Sequence, residues 1–211
     1  MSKRRRNWEI GPGKIVNAED QRRIMEYLRA RASTVSGRRD LLIVDILLNT
    51  GLRASELCRL RVCDTPVVIG RDCIEVYRGK GQKDRTIAIS ARLAGEIARY
   101  VVDMRPKTLP RCVRRKDFGR TLFYSQRQTP YSRFGLWVKL VRIGMRLGLV
   151  KRLHPHMLRH SFATDALMRN KPVLEVQRYM GHGSLNTTMI YTRVCSDVKA
   201  GAGEEIDHVF W

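Results

Sequence analysis

Residues 39–51, with the sequence RDLLIVDILLNTG, are apolar on nearly every side of a helical wheel. A helix without a polar face needs other elements around it, so we expect this segment to be buried in the core of the fold. Gly51 supplies the left-handed residue at which such a helix ends. The next segment, LRASELCRL, predicts a second, short helix immediately after that end.

Helical periodicity accounts for most of the remaining chain. Asn17 is expected to cap a helix from about 18 to 32, in which Ile24 and Leu28 recur with helical spacing. Further helices are predicted at about 91–104, 132–147, 156–169 and 173–180.

The spacing of apolar residues changes between 66 and 89. Two short runs, 73–78 and 85–89, have the character of strands, and the tip between them is rich in glycine and lysine. The tip presents three cations, Lys80, Lys83 and Arg85. The predicted fold class is therefore α+β, mainly helical, with a small antiparallel sheet packed on a helical bundle.

The chain carries 41 lysine and arginine residues against 20 aspartate and glutamate residues, a formal net charge of +21. Basic residues recur along the whole chain, so the folded state repels itself unless a polyanion neutralises it. Nucleic acid is therefore the expected partner class. A membrane surface is the second candidate, but no segment reaches the roughly 18 apolar residues of a spanning helix, and we expect no membrane contact.

The amino-terminal segment MSKRRRNWEI has no apolar run, so we expect no signal peptide and a cytoplasmic location. The five cysteines are scattered and form no C-x-x-C pair, which predicts reduced thiols. The segment HPHMLRH places His156 and His160 on one helix face, as metal ligands often lie. No carboxylate or cysteine follows at ligand spacing, and Arg159 would place a cation beside the ion, so we predict no metal.

Four segments hold the residue types that carry chemistry: TGLRASEL, RGKGQKDR, HPHMLRHSFAT and MGHGSLNTTMIYT. This set suits attack on a phosphodiester by a phenolic oxygen, because two arginines can bind the non-bridging oxygens in place of a metal ion. A lysine on a hairpin tip can protonate the leaving oxygen, while the phenol needs a proton acceptor or nearby cations. The candidates are Arg53, Lys80, His156, Arg159, His182 and Tyr191.

In this order, the segments resemble the catalytic domain of the tyrosine recombinases, also called the phage integrase family. TGLRASEL is similar to the family's first arginine box, and HPHMLRHSFAT is similar to its H-x-x-R box. MGHGSLNTTMIYT resembles the box in which a histidine precedes the nucleophilic tyrosine by nine positions. One box alone arises by chance, but the ordered set is specific. The resemblance covers about residues 17–195 and implies a site-specific DNA recombinase or integrase.

The resemblance also implies roles for individual residues. Arg53 and Arg159 bind the scissile phosphate, and Tyr191 attacks it to form a 3′-phosphotyrosyl link. Lys80 protonates the departing 5′ oxygen, and His156 acts as base or orients the phosphate. Because the bond energy is kept in the phosphotyrosine, neither ATP nor a metal nor any other cofactor is expected.

Further residues are expected to support these. The resemblance implies that His182 forms a hydrogen bond with a non-bridging oxygen. Glu56, three residues after Arg53, either orients that arginine or forms an ordinary surface pair with it. His160 is expected to brace the helix of the H-x-x-R box. Lys83 is the alternative to the lysine in the family's G-K-G position.

The chain divides into a basic arm, 1–16, a catalytic domain, 17–195, and a tail, 196–211. Typical members of the family carry an amino-terminal core-binding domain that closes a clamp around DNA, whereas only about 16 residues precede the catalytic domain here. The apolar end of the tail, EEIDHVFW, is expected to dock on its own domain or on a neighbouring protomer. The residues expected to bind DNA are Lys3, Arg4, Arg5, Arg6, Lys83 and Arg85.

The expected partner is double-stranded DNA, bound by a homo-oligomer of two to four copies in the nucleoid of a prokaryote or on a phage or other mobile element. Another protomer or an accessory DNA-binding protein would supply the missing half of the clamp. Two other functions stay open. One is a catalytically inactive DNA-binding regulator of the same fold, and the other is a type IB topoisomerase-like enzyme that relaxes DNA with the same nucleophile.

Overall fold

Helix α2, Val35–Thr50, is the element around which the rest of the structure packs. The structure is a computed structural model that describes residues 14–77, 84–107, 109, 120–181 and 191–192. Val44, Ile46 and Leu47 are fully buried, and the helix packs against α1 and α7. The burial predicted from its apolar sequence is confirmed.

Seven further α-helices lie within the described residues. They are α1 (Ala18–Ala30), α3 (Ala54–Arg59), α4 (Pro66–Ile69), α5 (Ala91–Arg99), α6 (Arg133–Arg146), α7 (Pro155–Met168) and α8 (Val173–Met180). The predicted cap of α1 is confirmed, since the Asn17 side chain accepts a hydrogen bond from the Asp20 N–H at 2.6 Å. Across these described ranges, no helix combines the length and the apolar character needed to cross a bilayer.

Two local features differ from the expectation. The helix predicted over 91–104 is α-helical only as far as Arg99, and Tyr100–Met104 widens into a π turn. The short helix α4 was not predicted. Its bounds have a plain physical cause, because Pro66 stands at its first position and Gly70 ends it in the left-handed conformation.

The sheet of the described residues is one antiparallel pair. Strand β1, Cys73–Val76, pairs with β2, Arg85–Ala88, so that Cys73 faces Ala88 and Val76 faces Arg85. Ile74 and Ile87 pair across the strands and are fully buried against the helices. The predicted α+β class is confirmed. The tip that holds Lys80 and Lys83 lies outside the described residues.

Gly51 makes the turn that leads from α2 to the first candidate arginine. Its φ of 60° lies in the left-handed region, and its N–H donates to the carbonyl of Leu47. A β-carbon here would overlap the ring of Phe162 on α7, so the turn is pressed directly against that helix. Two residues later, Arg53 is the N-cap of α3.

Replacing Gly51 with alanine is expected to lower the free energy of unfolding by about 1–3 kcal/mol more than replacing Gly70, because overpacking adds to backbone strain. Gly70 shares the left-handed backbone, with φ of 71°, but a β-carbon there meets no atom within 4 Å. Urea denaturation of the two variants measures the difference. Equal losses would show that Phe162 does not enclose Gly51.

Candidate active site

Arg159 is held in the interior by two main-chain carbonyls. Its Nη1 donates to the carbonyl of Gly51 and its Nη2 to the carbonyl of Met180, both at 2.5 Å. Burial lowers the pKa of Arg159 to about 9, and the positive charge of Arg53 acts in the same direction. The guanidinium is therefore still protonated at neutral pH, with its orientation fixed by the ends of two helices.

Arg53 approaches the same place from α3. Its Nη2 donates to the carbonyl of Gly181 at 3.1 Å, and its Nη1 donates to Glu56 Oε1 at 3.1 Å. The Arg53 main-chain N–H also donates to Glu56 Oε2 at 2.8 Å, which closes the amino end of α3. About one third of the Arg53 side chain remains exposed, so a ligand can reach it.

Three arginine side chains bind main-chain carbonyls at the carboxyl end of α8. Consecutive carbonyls of Tyr179, Met180 and Gly181 accept hydrogen bonds from Arg85, Arg159 and Arg53 respectively. The last carbonyls of a helix lack intrahelical partners and carry its negative dipole charge, so they are suited to hold cations. We call these three side chains and their carbonyls the arginine cluster. It brings together two of the residues that the sequence proposes for phosphate binding.

Glu56 is the carboxylate of the arginine cluster. Its side chain is 5% exposed and accepts hydrogen bonds from both Arg53 and Arg85. Burial by itself raises the pKa of Glu56, but hydrogen bonds from Arg85 and from the Arg53 N–H, together with both positive charges, lower it to about 2. Glu56 is therefore an anion in the interior and not part of a surface pair.

Arg85 differs from the expectation. The sequence groups it with the DNA-binding cations of the hairpin tip, but it is the first residue of β2 and its side chain is 8% exposed. Its guanidinium contacts Glu56 and Tyr179 within the protein. A basic residue beside a Gly/Lys-rich tip has the pattern of a solvated cation, and its partner Glu56 lies 29 residues away, so the sequence carries no signal of this contact.

Tyr191 is buried against side chains of α7 and α8. It is 2% exposed, packs with Phe162 and Met180, and its hydroxyl lies 2.7 Å from Nδ1 of His160. Burial raises the pKa of Tyr191 to about 12, against the opposing effect of the Arg159 charge. The phenol is therefore protonated at neutral pH and shielded from solvent.

His160 is the residue whose position the sequence did not predict. It was expected only to brace its helix, whereas its ring contacts the candidate nucleophile. Burial, with the charges of His156 and Arg159, lowers the pKa of His160 to about 4. His156 lies one turn earlier and is exposed, and desolvation followed by the charges of Arg159 and Arg53 lowers its pKa too. Both rings are therefore neutral at pH 7.

Several predicted residues lie outside the described part of the chain. These are Lys80, His182, Lys83, the basic arm with Lys3, Arg4, Arg5 and Arg6, and the tail 196–211. Within the described part, no group of three histidine, cysteine or acidic side chains could hold a metal ion.

A mainly helical domain in which two arginines, two histidines and a tyrosine converge has the architecture of the tyrosine recombinase catalytic domain. The chain belongs to the phage integrase family, whose family model matches residues 14–197. The resemblance seen in the sequence is thereby confirmed.

Relatives with known names support this assignment. The chain is similar to the tyrosine recombinase XerA of Pyrococcus horikoshii, with 39% identity over 165 residues, 77% of this chain and 53% of that protein. It is 32% identical over 160 residues to the tyrosine recombinase XerD of Staphylococcus saprophyticus, covering 76% of this chain and 52% of that one. The chain thus spans about half the length of these relatives.

Solved structures show the same fold. The crystal structure of XerA recombinase has a TM-score of 0.70 and 26% identity, covering 90% of this chain and 66% of that chain. The XerH site-specific recombinase bound to palindromic difH substrate, in a post-cleavage complex, has a TM-score of 0.70 and 26% identity, covering 90% and 52%.

The acid stability of the protein reports whether His160 is buried in its neutral form. The folded side chain has a pKa of about 4, whereas the unfolded one titrates near 6.5. Between these values the unfolded state binds more protons, so the free energy of unfolding falls as the pH is lowered. His160→Gln removes this loss, and urea titrations should show a shallower decline between pH 6.5 and 4 than in the wild type.

Asp165 provides a control of opposite sign. Burial raises its pKa to about 6 from 3.8, against the hydrogen bond from Gln21 and the charge of Arg169. Here the folded state binds more protons, so protonation of Asp165 stabilises it as the pH falls. Asp165→Asn loses this gain, and its free energy of unfolding should fall more steeply with decreasing pH than that of the wild type. A His160→Gln stability profile parallel to that of the wild type would contradict a half-buried, neutral His160.

Proposed function

We propose that this protein is a site-specific DNA recombinase that cleaves and rejoins DNA strands through a 3′-phosphotyrosyl intermediate, without metal or ATP. The observation that carries the proposal is the arginine cluster, in which Arg53 and Arg159 donate to adjacent carbonyls. Guanidinium groups held side by side repel each other, and a phosphate that bridges them relieves the repulsion. In the contacts described, each uses two of its five N–H donors, which leaves donors for non-bridging oxygens.

The proposed steps balance with the residues of this chain. The phenolic oxygen of Tyr191 forms a bond to phosphorus as the bond to the 5′ oxygen breaks. The phenolic proton passes to His156, which is neutral at pH 7 and can accept it. Lys80 gives a proton to the departing 5′ oxygen, and His182 binds a non-bridging oxygen. Attack on the phosphotyrosine by a 5′ hydroxyl from a second duplex reverses the step and joins the new strand.

Tyr191 has to leave its contact with His160 before its hydroxyl can attack a phosphate. In the state described, its hydroxyl contacts His160 and its raised pKa keeps the proton in place. We propose that DNA binding replaces this contact with contacts to the scissile phosphate and the two arginines. Cleavage in the absence of a correctly bound duplex is then suppressed, because the nucleophile is both buried and protonated.

Double-stranded DNA is the proposed substrate, and the net charge of +21 supports it. Strand exchange needs two duplexes, so we propose that two to four copies assemble on DNA in the nucleoid of the cytoplasm. The basic arm with Lys3, Arg4, Arg5 and Arg6 would bind phosphates, together with Lys83. The tail 196–211 would dock on a neighbouring copy, and an accessory DNA-binding protein would take part in the assembly.

A covalent-adduct assay tests the proposal. The full chain is mixed with nicked suicide duplexes of randomised sequence in EDTA, and protein–DNA adducts are separated under denaturing conditions. The wild type should form an adduct because no metal is required. Tyr191→Phe should form none, because phenylalanine lacks the attacking oxygen. Tyr27→Phe is the matched control, since this tyrosine of α1 accepts a hydrogen bond from Arg146 at 3.4 Å and should keep wild-type adduct formation.

The outcomes separate the competing functions. An adduct that persists in Tyr191→Phe rules out Tyr191 as the nucleophile. Duplex binding by the wild type without any adduct would identify a DNA-binding regulator. Adduct formation accompanied by relaxation of supercoiled DNA, without exchange between duplexes, would identify a topoisomerase-like enzyme.

A further inference from the structure

Arg85 uses all three of its guanidinium nitrogens inside the protein. Its Nη1 and Nη2 donate to Glu56 Oε1 and Oε2 at 3.0 and 2.8 Å, and its Nε donates to the Tyr179 carbonyl at 2.7 Å. The two parallel bonds to Glu56 form the bidentate pair that only arginine provides. Arg85 lies on β2, and its hydrogen bonds link this strand to α3 and to the end of α8.

Two of these elements, α3 and the end of α8, hold residues that contact the phosphate-binding candidates. Glu56 on α3 accepts a further bond from Arg53 Nη1 at 3.1 Å. The carbonyls that follow Tyr179 are the acceptors for Arg159 and Arg53. Among the described hydrogen bonds, Arg85 makes none to Arg53 or Arg159 themselves. It contacts Glu56, which also binds Arg53, and the Tyr179 carbonyl, which directly precedes the acceptor of Arg159.

We propose that Arg85 is a positioning residue for DNA cleavage: through Glu56 and the end of α8 it fixes Arg53 and Arg159 in the geometry that binds the scissile phosphate. The inference rests on the proposed function. It also replaces the expectation that Arg85 binds DNA directly, because the side chain is 8% exposed and its nitrogens are engaged.

Loss of the Arg85 guanidinium changes what Glu56 can do. The carboxylate loses both hydrogen bonds from Arg85 and keeps those from the Arg53 guanidinium and the Arg53 main-chain N–H. Without the Arg85 fork, Glu56 can shift and carry the Arg53 guanidinium with it. In metal sites, removing a residue that orients a ligand in this way typically costs about 10–100-fold in affinity or activity. We expect Arg85→Gln to lower the single-turnover cleavage rate at saturating DNA by that amount, with affinity for the duplex unchanged.

A second ion pair in the same protein serves as a matched control. Arg92 on α5 makes a bidentate contact with Asp45, with nitrogen–oxygen distances of 2.8 and 2.9 Å. Asp45 is 4% exposed, as buried as Glu56 at 5%. Arg92→Gln removes a pair of the same geometry that contacts no member of the arginine cluster. Its cleavage rate should equal that of the wild type, even if its stability falls as much as that of Arg85→Gln.

Two further variants separate positioning from general folding. Arg85→Lys keeps the positive charge but lacks the two parallel N–H donors of a guanidinium. Its cleavage rate should therefore lie between those of the wild type and Arg85→Gln. In a Glu56→Gln background, Arg85→Gln should lower the rate less than it does in the wild type, because the route through Glu56 is already lost and only the contact with the Tyr179 carbonyl remains. All rates are measured below the unfolding transition of each variant, on the same nicked duplexes and with Tyr191→Phe as the blank.

The results distinguish this inference from the function on which it rests. A wild type that forms no adduct removes both. A wild type that cleaves, with Arg85→Gln cleaving at the same rate, removes the role of Arg85 alone. A loss confined to duplex affinity, or an equal loss of rate in Arg92→Gln, also overturns it. A slow Arg85→Gln with normal affinity and a normal Arg92→Gln supports it.

Discussion

The site depends on the carboxyl end of α8, where three consecutive carbonyls bind three arginines. A helix end offers a fixed partial negative charge without a titratable group, and Glu56 adds one full negative charge beside it. Within the cluster as described, three guanidinium groups against one carboxylate leave a surplus of two positive charges. This surplus suits a phosphodiester that gains negative charge as it is attacked. The end of α8 and Glu56 therefore hold the arginines close together, and this arrangement favours binding of an anion.

The position of Tyr191 adds a second constraint. An exposed phenolate next to this positive charge would be a persistent nucleophile, whereas a buried phenol with a pKa near 12 is inert. His160 contacts the Tyr191 hydroxyl and lies on the same helix as Arg159, so the resting contact and the proposed phosphate site share α7. Binding of DNA can then be coupled to exposure of the nucleophile over a short distance.

The sequence predicts the elements of this fold better than their contacts. The continuous apolar run predicts the buried helix α2, and Gly51 and Asn17 indicate helix ends, because these signals are local. The candidate arginines were found from local boxes in the same way. The Arg85–Glu56 pair and the His160–Tyr191 contact join residues 29 and 31 positions apart, and nothing in their neighbouring residues indicates which partner each will meet. Such contacts follow only from how β2, α3 and α7 pack.

The central claim is that the arginine cluster is already formed before DNA binds and keeps its internal bonds when the phosphate arrives. A crystal structure of the Tyr191→Phe variant bound to duplex DNA tests it most directly. The account predicts non-bridging oxygens of one phosphate within about 3 Å of nitrogens of both Arg53 and Arg159, with their bonds to the carbonyls of Gly181 and Met180 intact. Arginines that leave the end of α8 to reach the DNA, or a phosphate bound away from them, would contradict it.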